Sequence, residues 1–108
     1  MIYHLRIYEI FETNKDAFHA RFRDHAMRIM ARYGFDFVGL WEAATPERTE
    51  FLYLLRWPDE TTKRRQWEAF MADEEWTQIK PETSAKYGDL VGTIDQQVMM
   101  LTDYSPEV

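Results

Sequence analysis

The chain has 108 residues, 45% of them apolar and 16% aromatic. That is enough for one domain with one core burying roughly 65% of the unfolded surface, and it excludes both two independent domains and global disorder. Thirteen basic against nineteen acidic residues give a formal net charge of -6, which argues against nucleic acid and anionic bilayers as partners. The absence of cysteine removes disulfides, thiolate metal sites and cysteine nucleophiles.

Residues Ile2 to Phe11 alternate polar and apolar side chains, with Leu5 and Ile7 on one face and His4, Arg6 and Tyr8 on the other, predicting a first strand. This alternation is unlike the continuous apolar stretch of a signal peptide, and no run approaches the roughly 18 apolar residues of a membrane span. The expected location is cytoplasmic. Thr13 with Asp16 resembles a capping box. The stripe Phe18, Phe22, Ala26, Ile29 and Tyr33 then predicts a helix from about Asn14 to Tyr33, closed by Gly34 as a left-handed cap.

Phe35 to Ala43 and Phe51 to Trp57 read as two strands joined by the polar turn Ala44 to Glu50, which contains Pro46. Asp59 should cap a helix whose buried side is Trp67, Phe70 and Met71. Asp73, Glu74 and Glu75 mark a further helix start, followed by Trp76, Ile79 and Tyr87, with Pro81 as a bend or restart. Gly88 and Gly92 should bracket a loop before a fourth strand from Thr93 to Thr102.

The order β-α-β-β-α-β specifies an α+β fold of the ferredoxin-like type, an antiparallel sheet with its helices on one face. The run Phe51, Leu52, Tyr53, Leu54, Leu55 is apolar on both faces, whereas a sheet with one wet face should alternate. No further helix is present to cover the second face. A second copy of the same sheet is the simplest cover, so the chain is expected to form a homodimeric α+β barrel.

Leu5-Arg6-Ile7-Tyr8, Gly34, Gly39-Leu40-Trp41-Glu42 and Tyr53-Leu54-Leu55-Arg56-Trp57 together resemble the NIPSNAP family. So do Arg64 in the second helical layer, Asp73-Glu74-Glu75-Trp76 and the terminal Tyr104-Ser105-Pro106. The chain departs from the family pattern at Glu74, where proline is usual, and at Met99 and Met100, where Leu-x-Pro is usual. The resemblance implies a dimeric α+β barrel over nearly the whole chain and carries no catalytic residue across.

His4, Arg6 and Tyr8 form the candidate ligand site. Leu5 and Ile7 are expected to pack under the helices, which would turn this polar row into the barrel, where imidazole, guanidinium and phenol could hold a carboxylate or enolate and move a proton. In the alternative, Arg6 pairs with an acid across the dimer, Tyr8 packs its ring and His4 is partly exposed. His25 lies beside the buried stripe and His19 on the polar side. The histidines lack metal-ligand spacing, so no metal is expected. The tryptophans are explained by core packing and the glycines form no phosphate loop, so no cofactor is expected. Arg64, within the basic run Lys63 to Arg65, is expected to meet an acid at an interface. Three functions remain: a small-molecule binder, a cofactor-independent monooxygenase or isomerase, and a protein-interaction module with a filled barrel. A pocket of at least ~300 Å³ with convergent polar groups would favour the first two.

Overall fold

Strands β1 (Ile2–Ile10), β2 (Asp36–Ala44), β3 (Thr49–Trp57) and β4 (Val91–Met99) build one sheet in the order β2-β3-β1-β4, every neighbouring pair antiparallel. The structure, a computed structural model, describes residues 1–108. One face of the sheet is covered by α1 (Lys15–Arg21) and α2 (Met27–Ala31), continuous through a π-helical stretch Phe22–Ala26, and by α3 (Glu60–Met71) and α4 (Glu74–Tyr87). This is the expected ferredoxin-like arrangement.

The π stretch follows from the apolar spacing. Phe18, Phe22 and Ala26 are separated by fours, and each such step over-runs the 3.6-residue helical period by about 40°. Bonding Met27 N–H to the Phe22 carbonyl absorbs the drift, so Phe18 before the stretch, Phe22 and Ala26 within it, and Ile29 and Met30 after it are all buried. Gly34 closes the helix at φ 75°, as expected of a left-handed cap. Thr13, by contrast, makes no cap. The helix is entered through a 3₁₀ turn, Glu12–Asn14, and Asn14 Nδ2 instead donates to the Asp89 carbonyl at 3.0 Å.

The other helix starts are capped as anticipated: Asp59 Oδ1 accepts from Thr62 N–H at 2.7 Å, and Asp73 Oδ1 from Trp76 N–H at 3.0 Å. Asp73 also accepts from the Tyr33 hydroxyl at 2.6 Å and from Arg32 at 3.3 Å. Glu75 takes Arg28 at 2.7 Å and Arg32 at 2.5 Å, so the first turn of α4 is clamped to α2. This clamp sets Trp76 against Phe70 in the core. Beyond it α4 holds the domain loosely. Pro81 does not interrupt the helix, but Tyr87 is exposed, as is Met71 of α3, and neither joins the buried side expected of it. Gly92 lies within β4, which begins and ends earlier than expected.

The face of β1 is the reverse of the expectation. His4, Arg6 and Tyr8 lie under the helices and Leu5 and Ile7 on the open face. The register of β3 explains it. Phe51, Tyr53, Leu55 and Trp57 are buried with the helices, and β1 pairs Tyr8 with Phe51, Arg6 with Tyr53 and His4 with Leu55. Four large side chains at roughly 1.5–3 kcal/mol of burial each outweigh the cost of turning one polar row inward. On the open face Leu5 and Ile7 meet Leu54 and Leu52, and Trp41 of β2 lies opposite Leu52. The Trp41 ring covers Gly39, where an added Cβ would come within 2.6 Å of it.

Two expectations follow. Trp76→Ala should destabilise the domain by about 3–5 kcal/mol in urea unfolding. The Arg28 and Arg32 contacts hold Glu75 down at about 2, and Tyr33 and the α4 amide lower Asp73 below its usual range. Depressed carboxylates contribute stability that is present above their unfolded values and lost as pH falls through the folded ones. Stability should therefore decline from about pH 4.5 towards pH 2, and Glu75→Gln with Asp73→Asn should flatten that decline in an acid-unfolding series.

Candidate functional site: a cationic cavity between sheet and helices

β1 runs through the middle of the sheet, so its inward side chains meet both neighbouring strands and the helices. Arg6 is stacked on the Trp67 ring of α3, 4.5 Å from its centroid, and also lies over Tyr8 at 5.3 Å. It donates to Gln96 Oε1 of β4 at 3.0 Å and to the Tyr8 hydroxyl at 3.3 Å. No carboxylate pairs with it. Burial works against its charge, and the phenols of Tyr8 and Tyr53 more than offset this, holding the guanidinium above its ordinary value.

The Arg6 contact settles its neighbours' hydrogens. Gln96 Oε1 faces a group that can only donate, so it is the carbonyl oxygen, and His4 Nε2, 2.8 Å away, must donate to it as well. His4 is then the Nε2–H tautomer. Burial lowers its pKa, partly countered by the Gln96 bond, which keeps it neutral near pH 7. Tyr53 is fully buried, with the Arg6 guanidinium beside it, and the one acceptor its hydroxyl meets is the Tyr8 hydroxyl at 2.5 Å. A buried O–H left unmade costs about 1–3 kcal/mol, so Tyr53 donates to Tyr8. With Arg6 and Tyr53 both donating to the Tyr8 oxygen, the Tyr8 proton is left to point elsewhere.

A cavity of about 210 Å³ opens beside this cluster, walled by β1, β4 and the helices α1 to α4 with the π stretch. Fourteen side chains line it and eleven are apolar or aromatic, among them Tyr8, Phe18, Phe22, Trp67, Phe70 and Trp76; the other three are Arg6, Arg21 and Lys80. The π stretch supplies Phe22 and Ala26 to the wall. Arg21 lies over the Trp76 ring at 5.6 Å. Burial lowers its pKa, with Tyr8 countering, and a guanidinium remains charged nonetheless. Neither Arg21 nor Lys80 has an acidic partner within 4.0 Å, and no carboxylate lines the cavity. Two cavity residues also carry buried donors without acceptors, Arg6 at Nε and Trp76 at Nε1. The site is rich in donors and positive charge within a chain that is negative overall.

The volume is below the ~300 Å³ expected of a drug-sized site. It exceeds the roughly 150 Å³ of an apolar cavity that holds one benzene, so a one- or two-ring molecule fits. Of the three residues anticipated from the sequence, Arg6 and Tyr8 reach this cavity. His4 stands behind them, bonded to Gln96 and edge-on to Trp67 at 5.5 Å. Arg21 and Lys80 were missed. The signal for Arg21 was its place one residue before Phe22 in the buried stripe, and for Lys80 its place one helical turn after Trp76. Arg64 meets only Glu60 of its own helix, at 3.8 Å on the surface. His19 bonds Glu42 at 2.8 Å, and His25 accepts from Arg28 at 3.2 Å, both outside the cavity.

Among curated proteins none matches the chain. Solved structures do. An uncharacterized NIPSNAP domain protein from Burkholderia xenovorans superposes with a TM-score of 0.82 at 17% identity, over 99% of this chain and 100% of that one. A NIPSNAP family protein from Agrobacterium tumefaciens, Atu5224, gives 0.83 at 17% identity over 97% and 96%. The monooxygenase ActVA-Orf6 of Streptomyces coelicolor, solved with nanaomycin D, gives 0.62 at 11% identity over 99% and 92%. These likenesses establish the fold. The family follows from the sequence itself, since the NIPSNAP model matches residues 3–106, and the chain belongs to the NIPSNAP family.

Proposed function

We propose that this protein binds a small aromatic anion in the cavity between sheet and helices. The observation that carries the reading is the set Arg6, Arg21 and Lys80, three cations without acidic partners around apolar and aromatic walls. Stacking rings and aliphatic surface suit a planar body, and guanidinium groups suit a carboxylate or enolate oxygen. This keeps Arg6 and Tyr8 as ligand residues and gives His4 an indirect place, through Gln96, in orienting Arg6. A second reading is cofactor-independent oxygenation of such a ligand, for which the fold likeness to a monooxygenase solved with nanaomycin D is the support. Base-promoted isomerisation is disfavoured, because no carboxylate or histidine faces the cavity.

We also propose a homodimer formed through the open sheet face. Leu5, Ile7, Leu52 and Leu54 are half-buried there, and Trp41 is 52% exposed. The C-terminal tail reaches only one end of that face, where Met100, Leu101 and Val108 border a space with Tyr3, Leu54 and Met99. A second copy of the sheet would cover the remainder. The cavity lies on the opposite side and does not need the partner to be complete.

In a thermal-shift series, benzoate and 1-naphthoate should raise the melting temperature while benzamide and 1-naphthamide do not. Saturation at a hundred times Kd is worth about 2.7 kcal/mol, or several degrees for a domain this size. Arg21→Met with Lys80→Met should abolish the difference between acid and amide, and equal shifts by both would overturn the reading. Separately, light scattering at micromolar concentration should give twice the chain mass. Leu52→Glu should yield a monomer with native circular dichroism, and a monomeric parent protein would remove the dimer.

A further inference from the structure

The hydrogen-bond directions around the cavity constrain the protonation state of what it holds. Arg6, Arg21 and Lys80 can only donate. The Trp76 indole N–H is a donor without an acceptor, and the Tyr8 proton is free because Tyr53 and Arg6 already donate to the Tyr8 oxygen. No carboxylate, amide or imidazole side chain lines the cavity to receive a proton. A ligand hydroxyl placed among these groups would present its hydrogen to other hydrogens. An oxygen that has lost its proton would present lone pairs to all of them.

Resting on the binding reading above, we propose that the cavity selects an acidic phenol or enol and holds it as the oxyanion, shifting its ionisation without a protein base. The O–H bond breaks heterolytically, the electron pair stays on oxygen, and the proton leaves to water through the open side of the cavity. Charge decides the balance. Each opposite charge within about 4–6 Å favours ionisation by 1–3 pH units, and a ligand oxygen here has up to three cations and no anion around it. The apolar walls oppose ionisation, and a neutral outcome is what they alone would produce. Arg21 and Lys80 are then what distinguishes this site from an ordinary hydrophobic cavity, and Arg6 with Tyr8 fixes where the oxygen sits.

The test is an optical titration of 4-nitrophenol, whose neutral and ionised forms absorb at different wavelengths. It is run free and with excess protein from about pH 5 to 8, where folded proteins are generally most stable. The bound probe should be half-ionised at least one pH unit below the free probe, a tenfold preference for the anion. Its methyl ether, 4-nitroanisole, should bind at least tenfold more weakly than the anion. Lys80→Met, at an exposed position, and Arg21→Met should each move the bound midpoint back up, with circular dichroism confirming the fold. A bound midpoint at or above the free one, or equal affinity for the ether, overturns the inference. Should benzoate bind while nitrophenol shows no lowered midpoint, only the inference fails. Should neither bind, the binding reading fails with it.

Discussion

The architecture of this site depends on a half-buried guanidinium that has no carboxylate partner. Partial removal from water works against the charge. Arg6 offsets this through the Trp67 face and through charge-assisted hydrogen bonds to Gln96 and Tyr8. Those partners come from α3, β4 and β1 itself, so one side chain ties the central strand to an edge strand and a helix. Its donors dictate the orientation of Gln96 and the tautomer of His4, and they share the Tyr8 oxygen with Tyr53. A carboxylate in place of Gln96 would neutralise the charge and remove the reason for an anion to enter.

The element order, both aspartate caps, the Gly34 cap and the buried place of Trp76 were legible because each depends on local chemistry. The face of β1 was not, because Leu5 and Ile7 look like the natural core side when read alone. The clue lay in β3. Its row Phe51, Tyr53, Leu55, Trp57 is uninterrupted, whereas Leu52 and Leu54 are flanked by the charged Glu50 and Arg56. The row bounded by charge belongs nearer to water, and antiparallel pairing then carries His4, Arg6 and Tyr8 to the aromatic side. Arg21 and Lys80 were missed for a different reason. A cation on an amphipathic helix looks solvated until the opposing helix is known, and the α1–α4 approach is tertiary information.

The two sides of the sheet divide the chemistry. The helix side carries the aromatic rings, the cations and the cavity. The open side carries branched aliphatic residues with one tryptophan folded back over a glycine. Strand β4 contributes differently to each, with Gln96 and Ile94 turned to the helices and Asp95 and Gln97 to the open face. Because β1 is bonded on both edges, a change in Arg6 would be felt in β3 and β4 together, whereas a change on the exposed half of α4 would reach the cavity only through Lys80 and Trp76.

The distribution of indoles gives the molecule separate optical reporters. Trp57 is sealed in the core and should be indifferent to what happens outside it. Trp67 and Trp76 wall the cavity, each beneath a guanidinium, so an occupant that displaces or neutralises those cations should alter their emission. Trp41 stands on the other side of the sheet in contact with solvent. Its spectrum should shift to the blue only when that face is covered. A variant retaining Trp41 alone would watch association, and one retaining Trp76 alone would watch occupancy, each silent to the other event.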